Sequence, residues 1–255
     1  MRLSPVLPLG SLLARGPAAM RQEIALAARD AVNLGTMITH CTVPGVVALT
    51  FDDGPFYHTA HILDLLDQYG MKATFFVNGD NWVENIDDES TPWPEMLRRI
   101  VGTGHQLGSH TWSHVDMTAA DTATRYDQIE RLDQTLTRVV GKSPTYFRPP
   151  FGSCEGQCLV DLGKMGYHIV NFDLDTKDYL NNTPDKIETA KQTFWNALSA
   201  GTASSSFLVL GHDVHEQTAT ALTPFMLEKI KEKGYKAVTV GECLGDPAAN
   251  WYKET

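Results

Sequence analysis

An apolar run from Val46 to Thr50 leads directly into Phe51-Asp52-Asp53-Gly54-Pro55. Adjacent carboxylates behind a buried segment repel each other and are costly to desolvate. An ordinary Asp-Gly turn with a solvated side chain is one resolution. A bound cation is the other, with one aspartate as ligand and its neighbour free to act as a base. Adjacent aspartates suit glycoside cleavage poorly, because there two carboxyls face each other across the bond at about 5 to 9 Å. The second cluster is His110-Thr111-Trp112-Ser113-His114. Histidines at i and i+4 share one face of a helical turn, so both rings can reach one cation. One Asp and two His leave positions open for water and substrate. That set suits Zn2+ or a similar divalent ion in a catalytic site.

Three further clusters carry polar chemistry. Arg148-Pro149-Pro150-Phe151-Gly152 follows Tyr146-Phe147, and its prolines stiffen a loop that can hold Arg148 against a buried carboxylate. Asp173-Leu174-Asp175-Thr176-Lys177-Asp178-Tyr179 concentrates acid groups, and Leu208-Val209-Leu210-Gly211-His212 ends in an imidazole. Each has a plain alternative: a surface salt bridge, a solvated acidic loop, a partly buried histidine. Their common position carries the signal, because all five clusters end strand-like segments.

Those segments are Val46 to Thr50, Ala73 to Val77, Gln106 to Ser109, Thr145 to Phe147, Tyr167 to Phe172, Phe207 to Leu210 and Lys236 to Val240. Between them lie stretches of helical period: His58 to Tyr69, Pro94 to Thr103, Thr118 to Val140, Gln157 to Met165, Pro184 to Ala200 and Thr218 to Lys233. Gly70, Gly104, Gly141, Gly166 and Gly234 punctuate the helix ends. Alternating strand and helix implies a parallel sheet covered by helices. The expected fold is α/β, a single-domain distorted β/α barrel of about seven parallel strands, with an open doubly wound sheet as the alternative. Barrels of this kind place their chemistry at the C-terminal ends of the strands. Residues 1–40 read as an N-terminal segment (a signal or pro-segment remnant and a lead-in), 41–245 as the catalytic domain, and 246–255 as a C-terminal tail.

The chain has 255 residues, 42% of them hydrophobic and 20% charged, with 21 basic against 31 acidic side chains for a formal charge of −10. This excludes a disordered chain or a fibre and argues against nucleic acid as a partner. No run of about 18 apolar residues predicts a membrane span. The four cysteines, Cys41, Cys154, Cys158 and Cys243, permit three pairings. Cys154 and Cys158 are spaced poorly for a zinc or thiol-redox motif. The preferred reading is a local bridge between them and a long one from Cys41 to Cys243, with four reduced core thiols as the alternative. Asn181-Asn182-Thr183 matches a glycosylation acceptor, weakened by Pro184 directly after it.

In this order the clusters resemble the five motifs of the polysaccharide deacetylases, carbohydrate esterase family 4. The motifs are Thr50 to Pro55, His110 to His114, Arg148 to Gly152, the acidic loop ending at Asp178-Tyr179, and Leu208 to His212. The resemblance runs from about Cys41 to Val240. It is nearest to the secreted fungal chitin deacetylase branch through Phe75 to Trp82, Leu174 to Tyr179, His212 to Thr218 and Gly241 to Asp246. Secretion in that branch favours disulfides over free thiols.

The resemblance implies roles. Asp53, His110 and His114 would hold one divalent metal ion, Zn2+ or Co2+. Asp52 would be the base that activates water, anchored by Arg148, and His212 the acid, oriented by Asp178 or a neighbour in the acidic loop (Asp173 or Asp175). Phe151, where many relatives have Tyr, would line the acetate site. Tyr179, where many have Trp, would form the slot for the acetyl methyl with Leu210. Trp82, Trp93 and Trp112 are candidates for stacking on sugar faces, core packing being the alternative for each. The implied protein is a secreted, monomeric, metal-dependent hydrolase of N-acetyl groups on chitin or chito-oligosaccharides, extracellular or in the cell wall. The rival readings are the same machinery acting on peptidoglycan or acetylated xylan, and a catalytically silent chitin-binding barrel.

Overall fold

The computed structural model describes residues 32–253. The N-terminal leader reading at residues 1–31 lies outside these. Nine strands form one sheet: β1 (Met37–Ile38), β2 (Val46–Asp52), β3 (Thr74–Val77), β4 (Gln106–Ser109), β5 (Tyr146–Phe147), β6 (His168–Val170), β7 (Leu174–Asp175), β8 (Phe207–His212) and β9 (Lys236–Val238). Their order is β1-β6-β5-β4-β3-β2-β8-β7, with β9 also paired to β2, and every pairing is parallel. The sheet curls into a distorted β/α barrel left open between β1 and β7. The seven expected strands are all present. The two additions, β1 and β7, are only two residues long.

The helices are α1 (Thr59–Tyr69), α2 (Trp93–Gly102), α3 (Thr122–Val140), α4 (Gln157–Lys164), α5 (Ile187–Ala200), α6 (Thr223–Lys233) and a short α7 (Val240–Cys243). Side chains along a strand alternate between faces, and β2 shows what that does here. All seven of its residues are buried. Val47, Leu49 and Phe51 join the large core that includes Ile62 and Leu66 of α1, Leu97 of α2, Phe194 of α5 and Leu227 of α6. Val46 and Ala48 join a second core inside the curl with Phe76, Tyr146, Val170, Leu208, Val240 and Trp251. Thr50 and Asp52 continue that inward row, so the strand's own period delivers Asp52 to the interior.

The far end of the interior is closed by α7. Its first two amides, Val240 N–H and Gly241 N–H, donate to Thr74 Oγ1 and Gln106 Oε1 at the starts of β3 and β4. A capping box between Thr239 and Glu242 satisfies the helix's own N-terminus. Residues 246–253, the segment expected as a tail, pack into the same unit. Tyr146 Oη donates to the buried Asp246 at 2.7 Å, Thr145 N–H donates to Trp251 O at 2.9 Å, and Trp251 sits in the inner core.

Both disulfides form: Cys41–Cys243 with a Cα–Cα distance of 5.0 Å and Cys154–Cys158 with 5.3 Å. The first spans 202 residues and ties the lead-in to α7, where Thr42 and Val43 N–H both donate to Cys243 O. Loop-closure entropy gives such a span about 5 kcal/mol, against about 2 kcal/mol for a five-residue loop. The short bridge closes little chain. It braces the loop that follows Arg148.

Candidate active site

Register sets the site. Asp52, the last residue of β2, is the direct partner of His212 on β8 and of Phe76 on β3. Ser109 pairs with Phe147, so His110 and Arg148 leave β4 and β5 at matching levels. The five sequence clusters therefore meet at the C-terminal mouth of the curl. They enclose a cavity of about 500 Å3 whose lining includes Asp52, Asp53, His110, His114, Arg148, Phe151, Tyr179, Leu210, His212 and Trp82.

One wall is a buried ion pair. Arg148 is 1% exposed, and its guanidinium donates to Asp52 Oδ1 at 2.9 Å, to Asn171 O at 2.8 Å and to Thr50 Oγ1. It also lies over the Phe76 ring at 4.4 Å. A buried charge is tolerated only with this degree of pairing and hydrogen bonding. The second Asp52 oxygen, Oδ2, stays directed toward His110 Nε2 at 3.9 Å.

The opposite wall is a second pair. His212 Nδ1 donates to Asp178 Oδ1 at 2.8 Å. Asp178 is completely buried and accepts three more bonds, from His212 N–H, Thr218 Oγ1 and Tyr179 N–H. Burial alone would raise the Asp178 pKa, but the His212 charge and these donors hold it below the usual carboxylate range. For His212, burial works to lower the pKa, and Asp178, Asp52 and Asp53 together outweigh it and push it up to about 9. Of the three acidic-loop candidates, only Asp178 reaches His212. Asp173 instead receives Leu208 N–H and faces His40, and Asp175 receives Lys177 N–H and the Tyr179 hydroxyl.

Between the walls stand Asp53, His110 and His114, each with a ligand atom within 4.8 Å of the others. Asp53 Oδ1 lies 3.5 Å from His110 Nε2 and 3.3 Å from His114 Nε2, yet it is buried without a hydrogen-bond partner. His110 Nδ1 donates to Arg148 O at 2.7 Å, which fixes the tautomer and turns the Nε2 lone pair inward. Burial and the neighbouring His110 hold the His114 pKa below its ordinary value, so this ring is neutral as a ligand must be. An orphaned carboxylate oxygen beside the inward Nε2 atoms of two imidazoles fits a divalent cation.

The two histidines converge by a route that the i, i+4 spacing does not describe. No helical turn joins them. His110 to His114 is a loop in which Thr111 and His114 take positive φ of 72° and 54°. Asp53, Phe151 and Lys177 also have positive φ, so five of the six described non-glycine residues with this conformation lie in the five motif loops. Such backbone costs of the order of 1–3 kcal/mol per residue and persists only where its surroundings enforce it. Asn78 supplies one enforcer, its buried amide donating to His110 O and Thr111 O.

Trp82 is 49% exposed and lines the cavity, but Trp93 and Trp112 are each only 5% exposed. Trp112 packs on Gly79, where a Cβ would lie 2.1 Å from its ring, with Arg131 stacked over the indole at 4.0 Å. Neither buried tryptophan is available to stack on a sugar. Phe151, 74% exposed, sits edge-on to His114 at 4.7 Å.

Sequence reasoning missed Thr50, Thr218 and Asp213 as supports of the site. Thr50 was within reach, since it lies two residues before Asp52 on the same face of β2. Asp213 is fully buried beneath Gly54, where a Cβ would come within 2.2 Å of its carboxylate, and it accepts from Thr59 Oγ1. Burial, with the Asp53 and Asp52 charges adding to it, pushes its pKa up to about 7.

Comparison with known proteins agrees with this geometry. The polysaccharide deacetylase family profile matches residues 39–170. A chitin deacetylase of Colletotrichum lindemuthianum is 49% identical over 226 residues, covering 89% of this chain and 90% of the relative. A chitin deacetylase of Pestalotiopsis sp. is 47% identical over 225 residues, 88% of this chain and 72% of the relative. The solved structure of the Colletotrichum lindemuthianum enzyme superimposes with a TM-score of 0.84, covering 87% of this chain and 97% of the other. An oriented Asp-His-His set between two charged pairs, at the mouth of the fold this family shares, identifies the chain as a member of the polysaccharide deacetylase family.

Proposed function

We propose that this chain is a metal-dependent chitin deacetylase, hydrolysing N-acetyl groups of N-acetylglucosamine units to acetate and glucosamine units. The observation that carries the reading is the shared cavity. An Asp53–His110–His114 set, whose Asp53 Oδ1 has no hydrogen-bond partner, lies between a carboxylate held by Arg148 and an imidazole held by Asp178. The substrate class follows the chitin deacetylases at 47–49% identity. The domain carrying the activity takes in residues 41–245 together with β1 and the packed segment 246–253. Two disulfides support a secreted protein, and no described helix is long and apolar enough to cross a membrane.

Asp53, His110 and His114 would hold the ion, Zn2+ or Co2+, which when bound would polarise the acetamide carbonyl and acidify water. Asp52 takes a proton from the attacking water as its oxygen bonds to the acetyl carbon. Arg148, itself bonded to Thr50 Oγ1, fixes Asp52 Oδ1, so Oδ2 is the oxygen free to accept it. His212, charged at neutral pH, delivers its proton to the amide nitrogen as the C–N bond breaks, so the amine leaves neutral rather than as an anion. Asp178 keeps the imidazole oriented and compensates its charge. Phe151, Tyr179 and Leu210 wall the acetyl group, and Trp82 offers its face to a sugar ring.

Acetate release from defined chito-oligosaccharides, peptidoglycan and acetylated xylan, with Zn2+ or Co2+ supplied, tests the reading. Release from chito-oligosaccharides above the other two is expected. Faster release from peptidoglycan or xylan would reassign the substrate, and chitin binding without acetate would leave a silent barrel.

A further inference from the structure

Seven large hydrophobic side chains are exposed among the described residues: Leu34, Tyr57, Trp82, Phe151, Val160, Tyr179 and Leu180. Scattered exposed apolar residues need no explanation, but contiguous ones mark binding surfaces. Trp82, Phe151 and Tyr179 line the cavity, and Leu180 adjoins Tyr179. Tyr57 lines no part of the cavity, and at 70% exposed it is one of the two most open of the seven. It is joined to the cavity by rings alone. His212 lies 5.9 Å from His215, His215 lies 5.8 Å from Trp82, Trp82 lies 5.9 Å from Phe56, and Phe56 lies 5.0 Å from Tyr57.

Tyr57 is also held in place. The buried Trp93 meets it edge to face at 5.1 Å and stacks parallel to Phe56 at 6.5 Å. Below, Phe56 N–H donates to Thr59 Oγ1 at 2.9 Å, which anchors the turn to the first residue of α1. Side chains that fold only to fill a core do not leave a ring three-quarters open on a base of two other aromatics. A rigid, solvated ring loses little conformational freedom when a ligand covers it.

We propose that Tyr57 is the outer platform of a sugar-binding shelf, on which a pyranose unit stacks at least one unit beyond the residue being deacetylated. The occupant is the same β-linked N-acetylglucosamine chain whose acetyl group enters the cavity. An all-equatorial pyranose presents an apolar C–H face that matches an exposed aromatic ring. Continuity with the cavity through His215, Trp82 and Phe56 selects this occupant over an unrelated partner. The shelf makes Tyr57 a determinant of chain length. It rests on the chitin deacetylase reading for the identity of the sugar.

The test compares Tyr57→Ala and Tyr57→Phe with the parent, using the dimer and hexamer of N-acetylglucosamine. For Tyr57→Ala the hexamer-to-dimer ratio of kcat/KM should fall about 3- to 10-fold, mostly through KM, the scale of one aromatic contact. Tyr57→Phe should retain the ratio, because the ring remains. Calorimetric affinities in an Asp52→Asn background should show the same ratio without turnover. An unchanged ratio in Tyr57→Ala, or an equal fall in Tyr57→Phe, would overturn the shelf while leaving the deacetylase reading standing. Hexamer affinity that depends on Tyr57, in a parent releasing no acetate from any chito-oligosaccharide, would support the shelf and overturn the catalytic reading alone.

Discussion

The walls of the cavity and its centre are built on different principles. Arg148–Asp52 and Asp178–His212 are complete in themselves. Each opposes charges in low solvent exposure, and its anchoring member, Arg148 or Asp178, makes further hydrogen bonds to the fold, leaving Asp52 Oδ2 and His212 Nε2 for proton transfer. The central Asp53–His110–His114 set is different, with a buried oxygen that nothing donates to and the Nε2 atoms of two rings directed toward it. In the proposed reaction the proton-transfer groups must be oriented whether or not an ion is bound, and the chain orients both pairs itself. Cation ligands can be left unsatisfied by protein because the ion satisfies them. Loss of a wall residue and loss of a centre residue should therefore fail in different ways.

The largest expected difference lies within one dipeptide. Asp52→Asn keeps side-chain size and can still accept from Arg148, but it cannot take a proton. Turnover should fall by roughly 10²- to 10⁴-fold with metal affinity nearly unchanged. Asp53→Asn removes a charged ligand, so metal affinity should fall first, and saturating Zn2+ should restore part of the activity. Metal titration followed by calorimetry, with acetate release measured alongside, separates the two. Metal loss in the Asp52 variant with retention in the Asp53 variant would invert the assignment of wall and centre.

A smaller effect links the two regions through charge. His212 is pushed up to about 9 by Asp178, Asp52 and Asp53 against the effect of burial. A divalent ion at Asp53 cancels part of that negative field, so binding should lower the His212 pKa. Nitrogen-15 NMR of the imidazole should show titration near 9 in chelated protein and a lower value after Zn2+ is added. For the chelated protein the sign of the stability term follows from a folded pKa above the ordinary 6.5. The stabilisation is fully present below 6.5 and is lost as pH rises through about 9. A His212 pKa that ignores the ion would show that wall and centre are electrostatically separate.

Much of this architecture was readable before the fold. The strands announced themselves as short apolar runs bounded by glycine, because a parallel strand covered on both faces has little room for polar residues. Two-residue strands such as β1 and β7 carry no such run, since they exist by pairing with neighbours brought together by the rest of the chain. His110 and His114 do come together, but not by the geometry their spacing suggests. Helical spacing explained their proximity from sequence, whereas the chain achieves it with positive φ at Thr111 and His114, against the preferences of both residues. No local pattern encodes that, because the cost is carried by tertiary contacts such as Asn78. Trp112 shows the same limit from the other side. Its burial depends on Gly79, a distant residue whose missing side chain makes the space. The acidic loop offered Asp178 with Asp173 and Asp175 as alternatives, and the path from β7 to β8 is what brings Asp178 alone to His212.

The smallest effect concerns a carboxyl that belongs to neither region. Asp213 is buried under the Asp53-Gly54 turn with one oxygen bonded to Thr59 and the other unpartnered. It has neither an Arg148 of its own nor a place in the cation set. Burial, reinforced by the Asp53 and Asp52 charges, pushes its pKa up from 3.8 to about 7. Between those values the folded protein holds a proton on Asp213 that the unfolded chain has released. Stability must then fall as pH rises across this interval, at up to about 1.4 kcal/mol per pH unit for one proton. Asp213→Asn cannot ionise, and its amide oxygen can still accept from Thr59. Denaturant unfolding of the chelated variant should therefore give a shallower decline between pH 4 and 7 than the parent, with the two curves running parallel above 7. Equal slopes would mean that Asp213 is ionised in the fold. The loop bearing Asp52 and Asp53 would then rest on a charge that the structure leaves half unpaired.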